Sequence, residues 1–174
     1  MWLPRINRYF FRTGPMNYQG RKEAHILLWW NIKVLCSLLL IAALFVRYLT
    51  DWFPPLFVVP HSVPLVLVVL GGMVFLYHFY LIKRQNRLLD RADHLVTEGG
   101  LFPYVRHPMY LGDVFMFTGF ALMVPSAITL IVLAISIFAL VKQAVAEDHY
   151  LSRLHKAEHD EWTKSTMLLF PSVF

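Results

Sequence analysis

The stretch PMYLGDVFMFTGFALMVPSAITLIVLAISIFALV, residues 108–141, holds a single charged side chain, Asp113, and is divided once, by Pro125 and Ser126. A helix crossing about 30 Å of hydrocarbon needs roughly 20 mostly apolar residues. The part after the division, extended to residue 145, reaches that length. The part before it, 109–124, covers only about 24 Å at 1.5 Å per residue. No polar loop lies between them. The two parts therefore read as a tight helical hairpin whose turn sits at or just inside the far interface of a bilayer.

Two further apolar runs precede this stretch, at 26–46 and 57–82. The 174 residues are 57% hydrophobic and the mean hydropathy is +0.53, which excludes an ordinary soluble domain. The expected fold is all-α: a polytopic membrane helix bundle with about four transmembrane segments, the last two a hairpin, plus a cytosolic C-terminal helix. One domain, 1–174, accounts for the length, with an N-terminal arm and the first two membrane helices in 1–92 and the chemistry in 93–174. Prolines 54, 55, 60 and 64 move the start of the second helix to about Pro64. The glycines of LGGMV, residues 70–74, offer a face for close helix packing. Cys36 reads as a small apolar side chain.

Lys and Arg alternate between the connections. Five precede the first run, none falls in 50–60, five lie between Lys83 and Arg106, none is at Pro125–Ser126, and three follow Glu147. By the positive-inside rule both termini and the central loop are cytoplasmic. Arg5, Arg8, Arg12, Arg21 and Lys22 precede the first run with no small-residue cleavage site close after it, so no removable signal peptide is expected. The basic residues are scattered among segments flanking apolar runs, so membrane lipids are the expected partners and nucleic acid is not. Lys33, near the start of the first run, is expected to reach back to the cytoplasmic headgroups.

Polar chemistry gathers in residues 93–113 and 142–151. The hairpin brings them to one end, because the first leads into the third helix and the second leaves the fourth. Thr97, Gly99, Gly100 and Pro103 mark a loop, and Pro108 marks a helix start. Free N–H groups there, with Arg106 and His107, suit a carboxylate or phosphate. Glu147 and Asp148 supply the opposite charge, so the pair of patches suits a zwitterion. Plainer readings exist: Arg106 and His107 as anchors at lipid phosphates, Tyr104 and Tyr110 as interfacial aromatics, Glu147 and Asp148 as a solvated helix face. Asp113 sits inside an apolar run, where acids generally face a cavity. His155 and His159 have helical spacing but no third ligand at fitting distance, so no metal is expected. After Glu147 the fourth helix is expected to continue as an amphipathic extension.

Together, Thr97, Gly100, Phe102, the run Arg106-His107-Pro108-Met109-Tyr110-Leu111-Gly112, the run Glu147-Asp148-His149-Tyr150-Leu151, Glu158-His159, Trp162 and Pro171 resemble the isoprenylcysteine carboxyl methyltransferase and phospholipid methyltransferase superfamily of integral membrane enzymes. The resemblance covers roughly the last 80 residues. It implies S-adenosyl-L-methionine as cofactor, held by His94, Leu95, Val96, Thr97, Phe102, His107, Pro108, Met109, Tyr110 and Glu147. Catalytic roles fall to Tyr104, Arg106, Asp113 and His149, the last two as possible proton acceptors. Gln143 is the substrate-binding position, where the prenylcysteine enzymes have an Arg that meets a carboxylate. An amide lacks that charge-assisted grip. A lipophilic acceptor with an amine or thiol therefore competes with a carboxylate, reaching the site from the bilayer. Two other readings stay open: an NADPH-dependent membrane reductase of the sterol-reductase type, and a non-catalytic membrane protein with a vestigial pocket.

Overall fold

Where nearly every side chain is apolar and the surroundings are lipid, backbone N–H and C=O groups must be paired within the chain, and a helix does this locally. The computed structural model describes residues 24–50, 54–88 and 95–169. It has helices α1 (Ala24–Leu49), α2 (Ser62–Leu88), α3 (Pro108–Met123), α4 (Ala127–Leu154) and α5 (Lys156–Thr163). Three of them are long and apolar enough to cross a membrane, within His25–Leu49, Ser62–Gln85 and Ala127–Leu154, while α3 is a shorter apolar helix. The N-terminal arm, most of the central basic loop with His94, and Pro171 lie outside the described residues.

The helix starts follow local chemistry. Pro64 is in the first turn of α2 and Pro108 opens α3, both positions where a missing N–H costs nothing. At the α3–α4 turn the Ser126 side chain accepts from the Thr129 N–H, and Thr129 Oγ1 accepts from the Ser126 N–H at 3.1 Å. Thr129 Oγ1 also bonds the Val124 carbonyl. This capping box satisfies the turn from within, as a turn with buried Val124, Pro125 and Ser126 requires. The Leu56 N–H donates to the Pro125 carbonyl at 2.8 Å, placing the α1–α2 connection against the same turn.

Packing departs from the expected tight hairpin in one respect. The chain turns between α3 and α4, but α3 packs chiefly against α2, and α4 chiefly against α1. Glycine explains the first partnership. A Cβ on Gly112 would stand 2.7 Å from the Gly71 carbonyl oxygen, and one on Gly119 would stand 2.7 Å from the Pro64 carbonyl oxygen, so α2 and α3 touch backbone to backbone. The core joins α1 (Leu40), α3 (Tyr110, Phe117, Ala121), α4 (Leu140, Ala144) and the tail (Leu168, Leu169). Large apolar side chains such as Leu38, Phe45, Met73, Leu76, Ile131 and Phe138 stay exposed on the outer faces, the pattern expected where the surrounding solvent is lipid.

The amphipathic extension also differs in detail. Helix α4 runs well past residue 145, breaks at His155, and α5 then turns His159 and Trp162 inward. Trp162 completes a second cluster with Leu81, Leu95, Val96 and Phe102. That cluster ties α5 to the loop before α3.

Candidate functional site

The loop before α3 is shaped by Gly99 and Gly100, whose φ values of 90° and 54° suit glycine. Their turn brings the Leu101 N–H to His78 of α2, whose Nε2 accepts it at 2.9 Å. Nδ1 of the same ring therefore carries the proton and donates to the Val74 carbonyl at 2.7 Å. A Cβ on Gly100 would stand 2.5 Å from that Nε2. Gly100→Ala is expected to cost about 1 kcal/mol from backbone conformation alone, read as a lower thermal midpoint in detergent. An unchanged midpoint would mean that residue 100 is not held in the left-handed conformation beside His78.

Phe102 meets His78 edge-on, with centroids 5.5 Å apart, and its carbonyl accepts from the Trp162 indole N–H at 3.0 Å. Leu95, Val96 and Phe102 are buried in the cluster beneath the loop, and Thr97 is half-buried. After the loop, the tail lies parallel to the chain. The Met167 N–H donates to the Tyr104 carbonyl at 2.9 Å, the Arg106 N–H to the Met167 carbonyl at 2.8 Å, and the His107 N–H to the Leu168 carbonyl at 3.2 Å. The tail thereby fixes the two residues that carry the basic chemistry. The Tyr104 side chain, in contrast, is 68% exposed.

Arg106 turns inward. Its Nε donates to Asp148 Oδ1 at 2.9 Å and its Nη1 to the Thr166 carbonyl at 2.8 Å. His159 Nε2 meets the same Asp148 oxygen at 3.1 Å. The expected anion pocket at the α3 start thus has its guanidinium engaged by an acid from α4. His107 is the N-cap of α3, with no side-chain capping bond, and its ring stacks on that of Tyr110 at 5.4 Å.

Tyr110 leads to the other acid. Its hydroxyl donates to Glu147 Oε1 at 2.6 Å and accepts from Gln143 Nε2 at 2.7 Å, and Gln143 Nε2 donates its second hydrogen to Glu147 Oε1 at 3.0 Å. The His107 nitrogens lie 3.9 Å from Glu147 Oε2 and 3.8 Å from Asp148 Oδ1, outside hydrogen-bonding reach. Among the described residues, two buried side-chain polar atoms lack a hydrogen-bond partner, His107 Nε2 and Gln143 Oε1, and both belong to this cluster. Such orphans are uncommon and call for an explanation, here a ligand that completes them.

The structure therefore brings His107, Tyr110, Gln143 and Glu147 together, with Pro108 buried at the helix start and Met109 half-buried beside it. His149, two residues past Glu147 and so about half a turn round α4, is exposed. Two positions differ from the sequence reading. Lys33 does not reach to headgroups but is buried at 9% exposure, and Asp113, buried at 5%, has it as a partner. Their charged groups meet at 2.8 Å. Two lone opposite charges in separate apolar runs are the available signal for such a pair. His78, the parallel tail and the His159–Asp148 contact had no local signal.

The family model described as phospholipid methyltransferase matches residues 59–158, more than half of the chain. The chain belongs to the phospholipid methyltransferase family. It is thereby a membrane protein of a methyltransferase family, within the superfamily anticipated from the Arg106–Gly112 and Glu147–Leu151 runs. No curated protein and no solved structure matches it. The family match takes in α2, α3 and α4 with the whole of the His107, Tyr110, Gln143 and Glu147 cluster. It leaves out α1, most of α5 and the tail that follows α5.

Proposed function

We propose that this chain transfers a methyl group from S-adenosyl-L-methionine to a lipophilic acceptor at the cytoplasmic face of the membrane, with both termini on that side. The observation that carries the reading is the pair of unpartnered buried atoms, His107 Nε2 and Gln143 Oε1, flanking a Tyr110–Glu147 hydrogen bond. This arrangement fits the cofactor: a nitrogen for its carboxylate and acids for its ammonium and ribose.

When bound, S-adenosyl-L-methionine supplies a sulfonium methyl for in-line displacement. The residues hold the reacting groups in line and keep water out. Glu147, kept in place by Tyr110 and Gln143, would orient an ammonium or hydroxyl, and His107 a carboxylate. Leu95, Val96, Thr97, Phe102, Pro108 and Met109, together with His94, would complete the cofactor contacts, and Gln143 would meet the acceptor. An acceptor amine or thiol releases a proton, for which exposed His149 is the available receiver, since Asp113 is engaged by Lys33. An acceptor would come from the bilayer, which the exposed apolar faces of α1, α2 and α4 would meet. The alternation of Lys and Arg supports the orientation.

Calorimetry on detergent-purified protein with S-adenosyl-L-methionine and with NADPH tests the reading. Saturable binding of the methyl donor alone is expected. Binding of NADPH alone would replace this reading with the reductase one, and binding of neither would remove the enzymatic reading. Incubation of membranes with radiolabelled donor then identifies the acceptor by the label it gains.

A further inference from the structure

Lys33 stands outside the family match, on a helix whose other side chains are almost all apolar, and yet its ammonium is directed into the cluster described above. Its Nζ donates to Asp113 Oδ2 at 2.8 Å and lies 4.7 Å from the centroid of the Tyr110 ring. Asp113 follows Tyr110 by three residues on α3, so both stand on one face of that helix and a single ammonium reaches both. Lys33 and Asp113 are both buried, at 9% and 5% exposure. A buried ion pair is a poor way to join two helices, because apolar side chains of similar volume do so as well or better. The pair is therefore better explained by what the ammonium does beyond Asp113.

What lies beyond is the Tyr110 ring, whose hydroxyl donates to Glu147. We propose that Lys33 is a positioning residue, which Asp113 holds over the Tyr110 ring so that the Tyr110 hydroxyl stays on Glu147 and the donor site is preset. The attraction between ammonium and ring face fixes the ring in the plane. The ring plane in turn sets where the hydroxyl points and where Glu147 Oε2 is left. This inference rests on the reading of Tyr110 and Glu147 as donor-binding residues. It assigns α1, through one side chain, a part in a site otherwise made by α3, α4 and the loop before α3.

The test uses the full chain in detergent. Lys33→Met alone would leave Asp113 charged and unpaired, so the informative variant is Lys33→Met with Asp113→Leu, which keeps the volume and removes both charges. Its thermal midpoint should match the parent while its affinity for S-adenosyl-L-methionine falls about fivefold, the scale of one cation–π contact. Lys33→Arg, which keeps a cation over the ring and a partner for Asp113, should bind within about twofold of the parent. A double variant that binds the donor like the parent would overturn the proposal, as would a Lys33→Arg variant as weak as the double variant. A second readout is independent of the donor: 3-fluorotyrosine placed at position 110 should give one sharp ¹⁹F resonance in the parent and a shifted, broadened or split one in the double variant. An unchanged spectrum would also overturn the proposal. Absence of donor binding in the parent, with the spectral change present, would count against the methyl-transfer reading and leave the positioning role standing.

Discussion

Arg106→Ala is expected to lower the stability of the fold by up to about 3 kcal/mol, the lower end for breaking a buried ion pair, because Asp148 is partly exposed and keeps two histidine neighbours. The Arg106 guanidinium is buried and joins three pieces of chain. Its Nε holds Asp148 at the end of α4, its Nη1 holds the Thr166 carbonyl of the tail, and its own backbone leads into α3. Alanine would leave Asp148 with the His159 contact at 3.1 Å and His107 at 3.8 Å, and free the Thr166 carbonyl. In a chain of this size the loss should appear as a fall of roughly 10 °C in the thermal midpoint in detergent. Arg106→Lys separates charge from geometry. A lysine keeps the charge near Asp148, but its ammonium cannot reproduce the two-pronged hold on Asp148 and Thr166, so it should lie between parent and alanine. An alanine variant melting with the parent would show that the tail is held by its backbone bonds and the Leu168–Leu169 packing alone.

The helices were legible because their signals are local. Apolar run length marked α1, α2 and α4, Pro108 marked the start of α3, and Pro125–Ser126 marked the turn. The meeting of Tyr110 with Glu147 followed from that turn, since a chain that reverses after α3 must return past its beginning. What escaped depends on which surfaces meet. The choice of α2 as the main partner of α3 is written in Gly71 and Gly112 jointly, and neither glycine reveals the other. Lys33 and Asp113 are 80 positions apart and each reads alone as an isolated charge. The parallel bridge between Val105 and Met167 involves too few residues for any periodicity. His78 looks apolar-embedded in sequence, and its role follows only from the left-handed turn at Gly100, which brings the Leu101 N–H to it.

Glu147→Gln is expected to weaken binding of S-adenosyl-L-methionine at least tenfold, about 1.4 kcal/mol, while leaving the thermal midpoint near that of the parent. The two effects separate because the two carboxylate oxygens do different work. Oε1 accepts from the Tyr110 hydroxyl and from Gln143 Nε2, and a glutamine carbonyl oxygen can accept both. Oε2 lies 3.9 Å from His107 Nδ1 with no such partner role, and there the substitution puts an NH₂ where an acceptor stood. The internal network survives, and the charge and acceptor offered to an ammonium or ribose hydroxyl do not. Tyr110→Phe is the complementary case. It removes the group that both donates to Glu147 and accepts from Gln143, so one N–H of Gln143, at 0% exposure, loses its acceptor while the other stays on Glu147. That variant should lose stability as well as affinity, by about 1–3 kcal/mol for the unpaired buried groups. If Glu147→Gln bound the donor like the parent while Tyr110→Phe only lowered the melting temperature, the cluster would be a structural knot between α3 and α4, and the donor site would have to be sought elsewhere in the chain.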